Sequence, residues 1–443
     1  MRTLDIRECL NPENRIQPEQ ANLTALLILE SFNETDIGSN NWWSAIKKTG
    51  TPVLFEIDSN WVDAIFLYQK KPEDNFENLY IHISGITNHH CFQLAEFEQF
   101  NQTDVWLFRC RLAKNWRASY QLLPRFSQQI REPLTGSQME KQLQHRQFLI
   151  QLFESAIADP LNNNNLPHCP WGKKHSALSM PNAIPQTAWQ TFDNQSYTQE
   201  QNNLTRHSWL SNQLQQERHY WLFNTSNTED SKDLPLVILL DGDFWAETLP
   251  ISGVVQQQTQ QGHLPAAVYL FIDSIDGKQR MQDLMGSDDF WFAINNELIP
   301  DIASQLPITE KPEHTVVTGQ SLGGLSALYA ALKWPQRYGA VLSQSGSFWW
   351  PDNRLIFQQD SEKIALTDEM QQLLELGAQR PNKLNVFMEV GSAEEAMVPL
   401  NNAVFNALKQ QQHSIDFRHF AGGHDRYCWR GGLIEGLTKL LNT

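Results

Sequence analysis

Along roughly the first 130 residues, apolar and polar positions alternate in short runs: VLFEI (53–57), AIFLYQ (64–69), LYIHI (79–83) and VWLFRC (105–110). A period of two puts apolar side chains on one face of an extended chain. Polar, turn-rich stretches separate the runs, so residues 1–130 predict an all-β, Ig-like sandwich. In 131–195, SQMEKQLQHRQFLIQLFESAIA spaces Leu143, Phe148, Leu152 and Ile157 as a helix does. DPLNNNN and PHCPWGKK follow with loop composition, and the stretch reads as a helical and irregular connector.

From residue 196 the pattern changes. RHSWLS and RHYWLFN read as two edge strands, followed in order by PLVILLD, AAVYLFID, TVVTGQ, AVLSQS and LNVFMEV. These near-continuous apolar runs fit parallel strands covered on both faces. Helical segments such as DDFWFAINNELIPDIASQL and LSALYAALKW lie between them, so 196–443 predicts a doubly wound α/β domain. Two domains also fit a chain of 443 residues, longer than a single core usually grows.

Charge narrows the partners. Lys plus Arg is 34 and Asp plus Glu is 50, a net charge of −16, which argues against nucleic acid. An anionic ligand would need positive charge concentrated locally. The five cysteines are scattered without CxxC spacing and read as free thiols in a reducing compartment. MRTLDIRECLNPEN lacks the basic-then-apolar pattern of a signal peptide, and no apolar run is long enough to span a membrane; the expected location is the cytoplasm. His89–His90 read as loop histidines rather than a metal site, and Trp42–Trp43 as core or interface.

Gly319-Gln320-Ser321-Leu322-Gly323 fits G-x-S-x-G, with an apolar strand before it and an Ala/Leu-rich helix after it. That context puts Ser321 on the sharp nucleophile elbow of an α/β-hydrolase, with Gly319, Gly323 and Gly324 avoiding crowding. A serine hydroxyl needs a base. Three histidines follow in the chain: His413 at the polar end of a helix, His419 inside a strand, and His424 on the glycine-flexed loop AGGHDRYCW. Only His424 lies past a strand's carboxyl end, where open α/β sheets place their sites. The acid is expected after the preceding strand: Glu394 first, Glu389 second, with a Ser–His pair lacking an acid also open. Oxyanion donors are expected from the N–H groups of Leu322 and, in LLDGDFW, of Asp243 beside Gly242.

LLDGDFW, AVYLFIDSIDGKQR, VVTGQSLGGLSALYA, WPQRYGAVLSQSGSFWWP and GGHDRYCWRGGL together resemble the enterobactin (enterochelin) esterases. The resemblance runs through most of 200–440 and, more loosely, through the N-terminal region, DPLN and WGKK. It implies a serine esterase that cleaves the ester bonds of ferric enterobactin, a cyclic trilactone of dihydroxybenzoylserine, releasing iron in the cytoplasm. Matched position by position, it puts the nucleophile at Ser321 and the base at His424. No cofactor is implied, since iron enters only within the ferric catecholate siderophore. Phe244 and Trp350 would pack on catechol rings, and Arg280 and Arg426 would supply local positive charge. The sandwich would tune substrate choice. The competing readings are an esterase of another aromatic ester, of feruloyl or acetyl type, and a siderophore-binding protein with an idle site.

Overall fold

Why a strand such as WVDAIFLYQ is apolar almost throughout becomes clear from what covers its two faces. The computed structural model describes residues 9–16, 32–88, 91–164, 174–194, 204–226, 231–357 and 364–442. The chain divides into two compact units, Met1–Ile184 with Ala421–Tyr427, and Pro185–Phe420 with Cys428–Thr443.

In the first unit, β1 (Val53–Glu56), β2 (Trp61–Gln69), β4 (Glu98–Gln99) and β5 (Val105–Ala113) form one antiparallel sheet, ordered β1-β2-β5-β4. A second antiparallel sheet holds β3 (Asn78–Ile83), β6 (Arg117–Arg125) and β7 (Ser176–Ser179), ordered β3-β6-β7. Phe66 of β2 meets Tyr120 of β6 edge-to-face at 5.0 Å, so one face of the first sheet packs on the second. The other face, with Ile65, Leu67, Val105 and Leu107, packs on Trp42, Trp43 and Ile46 of the helix Asn40–Thr49. That helix is capped by the Ser39 side chain and ended by Gly50 at φ +81°. Trp42–Trp43 are core residues, in edge contact at 4.7 Å.

The predicted connector helix is Gln138–Glu154, opened by a Ser137/Glu140 capping box. Phe148 and Leu152 are buried as expected, while Leu143 is exposed and Leu149 takes its place in the packing. Further along the same stretch, β7 joins β6, so part of the connector is sheet. His89, His90 and Cys169 lie outside the described residues; no disulfide involves the four described cysteines.

The second unit is built on one eight-stranded sheet. β8 (Thr205–Ser211) and β9 (Gln216–Asn224) form an antiparallel hairpin at one edge. β10 (Leu236–Leu239), β11 (Val268–Ile272), β12 (Thr315–Gln320), β13 (Ala340–Gln344), β14 (Asn385–Gly391) and β15 (Ser414–Phe420) are mutually parallel. The order is β15-β14-β13-β12-β10-β11-β9-β8, with β9 antiparallel to β11. β10, β11 and β12 are buried along their whole lengths, and the helix Leu322–Lys333 is buried from Leu322 to Leu332. This is the doubly wound arrangement expected from the apolar runs. It collects the carboxyl ends of β10, β12, β13, β14 and β15 along one edge. Among the described residues no helix is long and apolar enough to cross a membrane.

Candidate active site

β12 ends at Gln320, the helix begins at Leu322, and the one residue between them turns the chain. Ser321 takes φ +58° and ψ −118°, a conformation that costs a non-glycine residue about 1–3 kcal/mol. Three backbone bonds hold it: Ser321 N–H donates to the Gln344 carbonyl at 3.0 Å, and the Ser321 carbonyl accepts Ser347 N–H at 3.0 Å and Leu325 N–H at 3.2 Å. The side chain is half-buried.

The glycines around it differ in need. A Cβ on Gly319 would lie 2.4 Å from the carbonyl carbon of Gly323, and one on Gly324 would lie 2.7 Å from Ser343 Oγ. On Gly323 it would meet nothing closer than 3.5 Å. The sequence motif names Gly319 and Gly323, but the steric demand falls on Gly319 and Gly324.

Leu322 N–H opens a twelve-residue helix, where the first amides have no intrahelical acceptor and the helix dipole favours negative charge. The second expected donor lies in the loop after β10. Asp241 adopts φ +55°, and its carbonyl accepts Phe244 N–H at 3.1 Å. A Cβ on Gly242 would come within 2.3 Å of Ile272 N, so glycine is needed for close approach to β11. Burial pushes the Asp243 carboxyl upward, and Asp273 and Asp241 add to it.

Arg280 is bound to that same loop. Its Nε and Nη2 donate to the two oxygens of Asp241 at 2.5 and 2.8 Å, and Nη2 reaches the Gln320 carbonyl at 3.3 Å. The sequence offered no sign of this pairing, and it offsets the charge that Arg280 was expected to present.

Behind the elbow, four strands align polar side chains at one register: Gln320 pairs with Gln344, Gln344 with Glu389, and Glu389 with Arg418. Trp245 Nε1 donates to Gln320 Oε1 at 2.9 Å, and Gln320 Nε2 to Gln344 Oε1 at 2.8 Å. Gln344 Nε2 donates to Glu389 Oε1 at 2.5 Å, and Arg418 binds Glu389 Oε2 at 2.8 Å. Burial pushes the Glu389 carboxyl up, while Arg418 opposes the shift. Glu389, the second acid candidate, is thus built into a cross-strand network.

Glu394, the first candidate, is buried. Its Oε1 accepts the Ser345 hydroxyl at 2.6 Å and Gly391 N–H at 2.7 Å. Ser345 Oγ in turn accepts Trp429 Nε1 at 2.9 Å. Gly391 N–H is the detail that fixes the carboxylate, because it ties the side chain to the strand end just before it.

Of the three late histidines, His413 Nδ1 accepts Leu384 N–H at 3.2 Å, and His419 Nε2 bonds Asn402 Oδ1 at 2.8 Å. His424 lies between the end of β15 and the helix Arg426–Leu441, exposed, in a segment that packs within the first unit. Arg426 is half-buried at the start of that helix. Arg430, one turn on, is buried in a bidentate pair with Asp193 over the Trp189 ring.

Of the two aromatic candidates, Phe244 is core and Trp350 is partly open. Phe244 is 3% exposed and packs edge-on to Trp245 at 5.1 Å, which leaves it no open stacking face in this structure. Trp350 is half-buried, its Nε1 donates to the Met285 carbonyl at 2.9 Å, and its ring lies against Tyr329 at 5.9 Å. Sequence reasoning missed Ser347, whose Oγ lies 3.2 Å from Ser321 Oγ. Its only signal was its place just past the end of β13, in AVLSQSGS.

Comparison with known proteins matches two family models, "Putative esterase" over residues 211–440 and "Enterochelin esterase, N-terminal" over residues 64–189. The iron(III) enterobactin esterase of Dickeya dadantii is 39% identical over 91% of this chain and 93% of that protein. The crystal structure of ferric enterobactin esterase from Salmonella typhimurium is 35% identical, with a TM-score of 0.74 over 91% of this chain and 99% of that one. The enterobactin esterase of Shigella flexneri, solved in the presence of enterobactin, is 33% identical, with a TM-score of 0.73 over 92% and 99%.

Proposed function

The chain belongs to the iron(III) enterobactin esterase family, and on that premise we propose that it hydrolyses the ester bonds of ferric enterobactin and so releases iron in the cytoplasm. The observation that carries the reading is Ser321, held at φ +58° between β12 and a buried helix in a chain aligned with these esterases over nine-tenths of its length. Backbone strain at a serine is stable only where the surroundings impose it, and it persists at sites where an exposed nucleophile is needed.

In this reading Ser321 Oγ attacks a lactone carbonyl while His424 takes its proton. The N–H groups of Leu322 and Asp243 donate to the developing oxyanion. His424 returns the proton to the departing seryl hydroxyl, which leaves the acyl group on Ser321. Water, deprotonated by the same imidazole, then releases the acid. Glu394 orients the imidazole, its own carboxylate being braced by Ser345 and Gly391. Arg426 supplies positive charge for the ferric tris-catecholate, with a smaller share from Arg280 because Asp241 offsets it. Trp350 is the aromatic contact with ring surface left to offer, while Phe244 supports the loop from within. Thiols without a disulfide at the four described cysteines accord with a reducing compartment.

The test compares kcat/KM for ferric enterobactin, a feruloyl ester and an acetyl ester of matched leaving group. Preference for the ferric trilactone by at least about a hundredfold supports the reading. Preference for the feruloyl ester would make this a general aromatic esterase, and tight binding of ferric enterobactin without turnover would make it a binding protein.

A further inference from the structure

The segment that carries His424 covers the end of β6, where Asp425 and Ser119 lie 306 residues apart in the chain. β3 stops at Ile83, opposite Tyr120, while β6 runs on to Arg117. Beyond that point β6 needs other acceptors, since a buried N–H left unpaired is costly. The Ala421 carbonyl accepts Arg117 N–H at 3.0 Å, and the Asp425 carboxylate accepts Ser119 N–H. Asp425 is 4% exposed, and its other oxygen accepts Tyr427 N–H at 2.8 Å, in the first turn of Arg426–Leu441. One carboxylate therefore accepts from both Ser119 of β6 and the capped Tyr427 N–H, all within the first unit. Gly85, at φ +73°, lies against Gly423: a Cβ on Gly85 would come within 2.8 Å of Gly423 Cα, and one on Gly423 within 2.6 Å of Gly85 Cα. Tyr427 completes the seat, its hydroxyl 3.1 Å from Ser179 Oγ on β7. His424 lies between Gly423 and Asp425, both fixed by these contacts.

We propose that Asp425 is a positioning residue for His424, and that β6 with the Gly85 turn is the template on which the base is held. This rests on the reading of His424 as the base. It gives the N-terminal unit a share in turnover of every ester, large or small, which substrate selection alone would not.

The experiment uses the full-length protein and three variants. Asp425→Asn presents an amide where two N–H donors converge. Asp425→Ser keeps a helix cap but is too short to hold β6 as well. Gly85→Ala pushes on Gly423 from the other side. Each is assayed on ferric enterobactin and on p-nitrophenyl butyrate, with the active serine titrated to completion by a fluorophosphonate. The expected result is a loss in kcat of between about ten- and a hundredfold on both substrates, little change in KM, and a full complement of titratable sites. Wild-type kcat in Asp425→Asn and Gly85→Ala overturns the proposal. Fewer titratable sites, each turning over at the wild-type rate, also overturns it, because the contacts would then serve folding alone. Wild-type kcat in Asp425→Ser would reduce Asp425 to a helix cap and remove the link to β6. His424→Ala is measured alongside: if it is inactive while the three variants are normal, only the positioning role fails; if it is fully active, the assignment of the base fails.

Discussion

Ser347 Oγ stands 3.2 Å from Ser321 Oγ, and Ser347 N–H donates to the Ser321 carbonyl. The same residue thus touches the nucleophile through both backbone and side chain. The backbone bond helps impose the positive φ, and the hydroxyl selects a rotamer of Ser321. Replacing Ser347 by alanine removes only the second effect. The expected outcome is a fall in kcat of about tenfold or less, corresponding to roughly 1 kcal/mol for one hydrogen bond, with the unfolding midpoint nearly unchanged. A loss above about a thousandfold would put Ser347 in the proton path.

Arg280 and Asp241 form a pair in which the carboxylate is 6% exposed and the guanidinium 23%. Removing Arg280 takes the guanidinium from a buried carboxylate that also accepts the Ser274 hydroxyl at 2.8 Å. Arg280→Ala should cost about 3 kcal/mol in urea unfolding and slow hydrolysis of both charged and neutral esters, with only a small extra loss on the charged one. Arg426→Ala should instead raise KM for ferric enterobactin by roughly tenfold, about 1.4 kcal/mol, and leave a neutral ester little affected. Parallel Michaelis–Menten series on the two substrates separate the outcomes. A rise in KM for the ferric substrate in Arg280→Ala as large as that in Arg426→Ala would give Arg280 an equal share in substrate binding.

The elbow glycines give a sharper steric test. Gly323→Ala meets its nearest neighbour at 3.5 Å inside a helix, where alanine is favoured over glycine by about 1 kcal/mol. Thermal unfolding should show it as stable as the wild type or more so, with activity retained within a few-fold. Gly319→Ala, 2.4 Å from the Gly323 backbone, should be severely destabilised or inactive. Equal tolerance of both would mean the turn is looser than a 2.4 Å approach allows.

Much of the fold was legible because local pattern and final environment agree. The apolar runs of β10 to β14 are buried on both faces, as such runs require, and β1, β2, β3 and β5 begin within three residues of their hydrophobic runs. What escaped notice lacked either periodicity or proximity in sequence. β6 reads RASYQLLPR, with a proline near its end and polar residues among its buried ones, and β7 is only four residues long. The helix Asn40–Thr49 was hidden by a tryptophan pair, though Ser39 before it and Gly50 after it were the cap signals to read. Within the site, Ser321 was visible from its strand and helix. The partners of Glu394, Arg280 and Asp425 were not, because each arrives from another strand end or loop and only the fold brings it there.

His413 supplies a prediction about pH. It is 8% exposed, and burial first, then Arg380 and Lys383, lowers its pKa from 6.5 to about 4. A depressed folded-state pKa means the neutral imidazole is favoured in the fold. The associated stability is fully present above pH 6.5 and is lost as pH falls toward 4. Urea unfolding should lose on the order of 2 kcal/mol across that window through this residue, and His413→Gln should flatten the loss. An unchanged slope in the variant would place the acid sensitivity elsewhere.

If Ser321 opens the trilactone of ferric enterobactin, the products of the reaction record it. Ferric enterobactin is incubated with the wild type and with Ser321→Ala at equal concentration, and the linear trimer, dimer and monomer of dihydroxybenzoylserine are resolved by chromatography over time. Stepwise appearance of all the linear products is expected with the wild type. Ser321→Ala should form them at less than about a thousandth of that rate, since loss of a nucleophile costs on the order of a million-fold, while still binding the ferric substrate. Products accumulating at a comparable rate in Ser321→Ala, or none at all with the wild type, would contradict it.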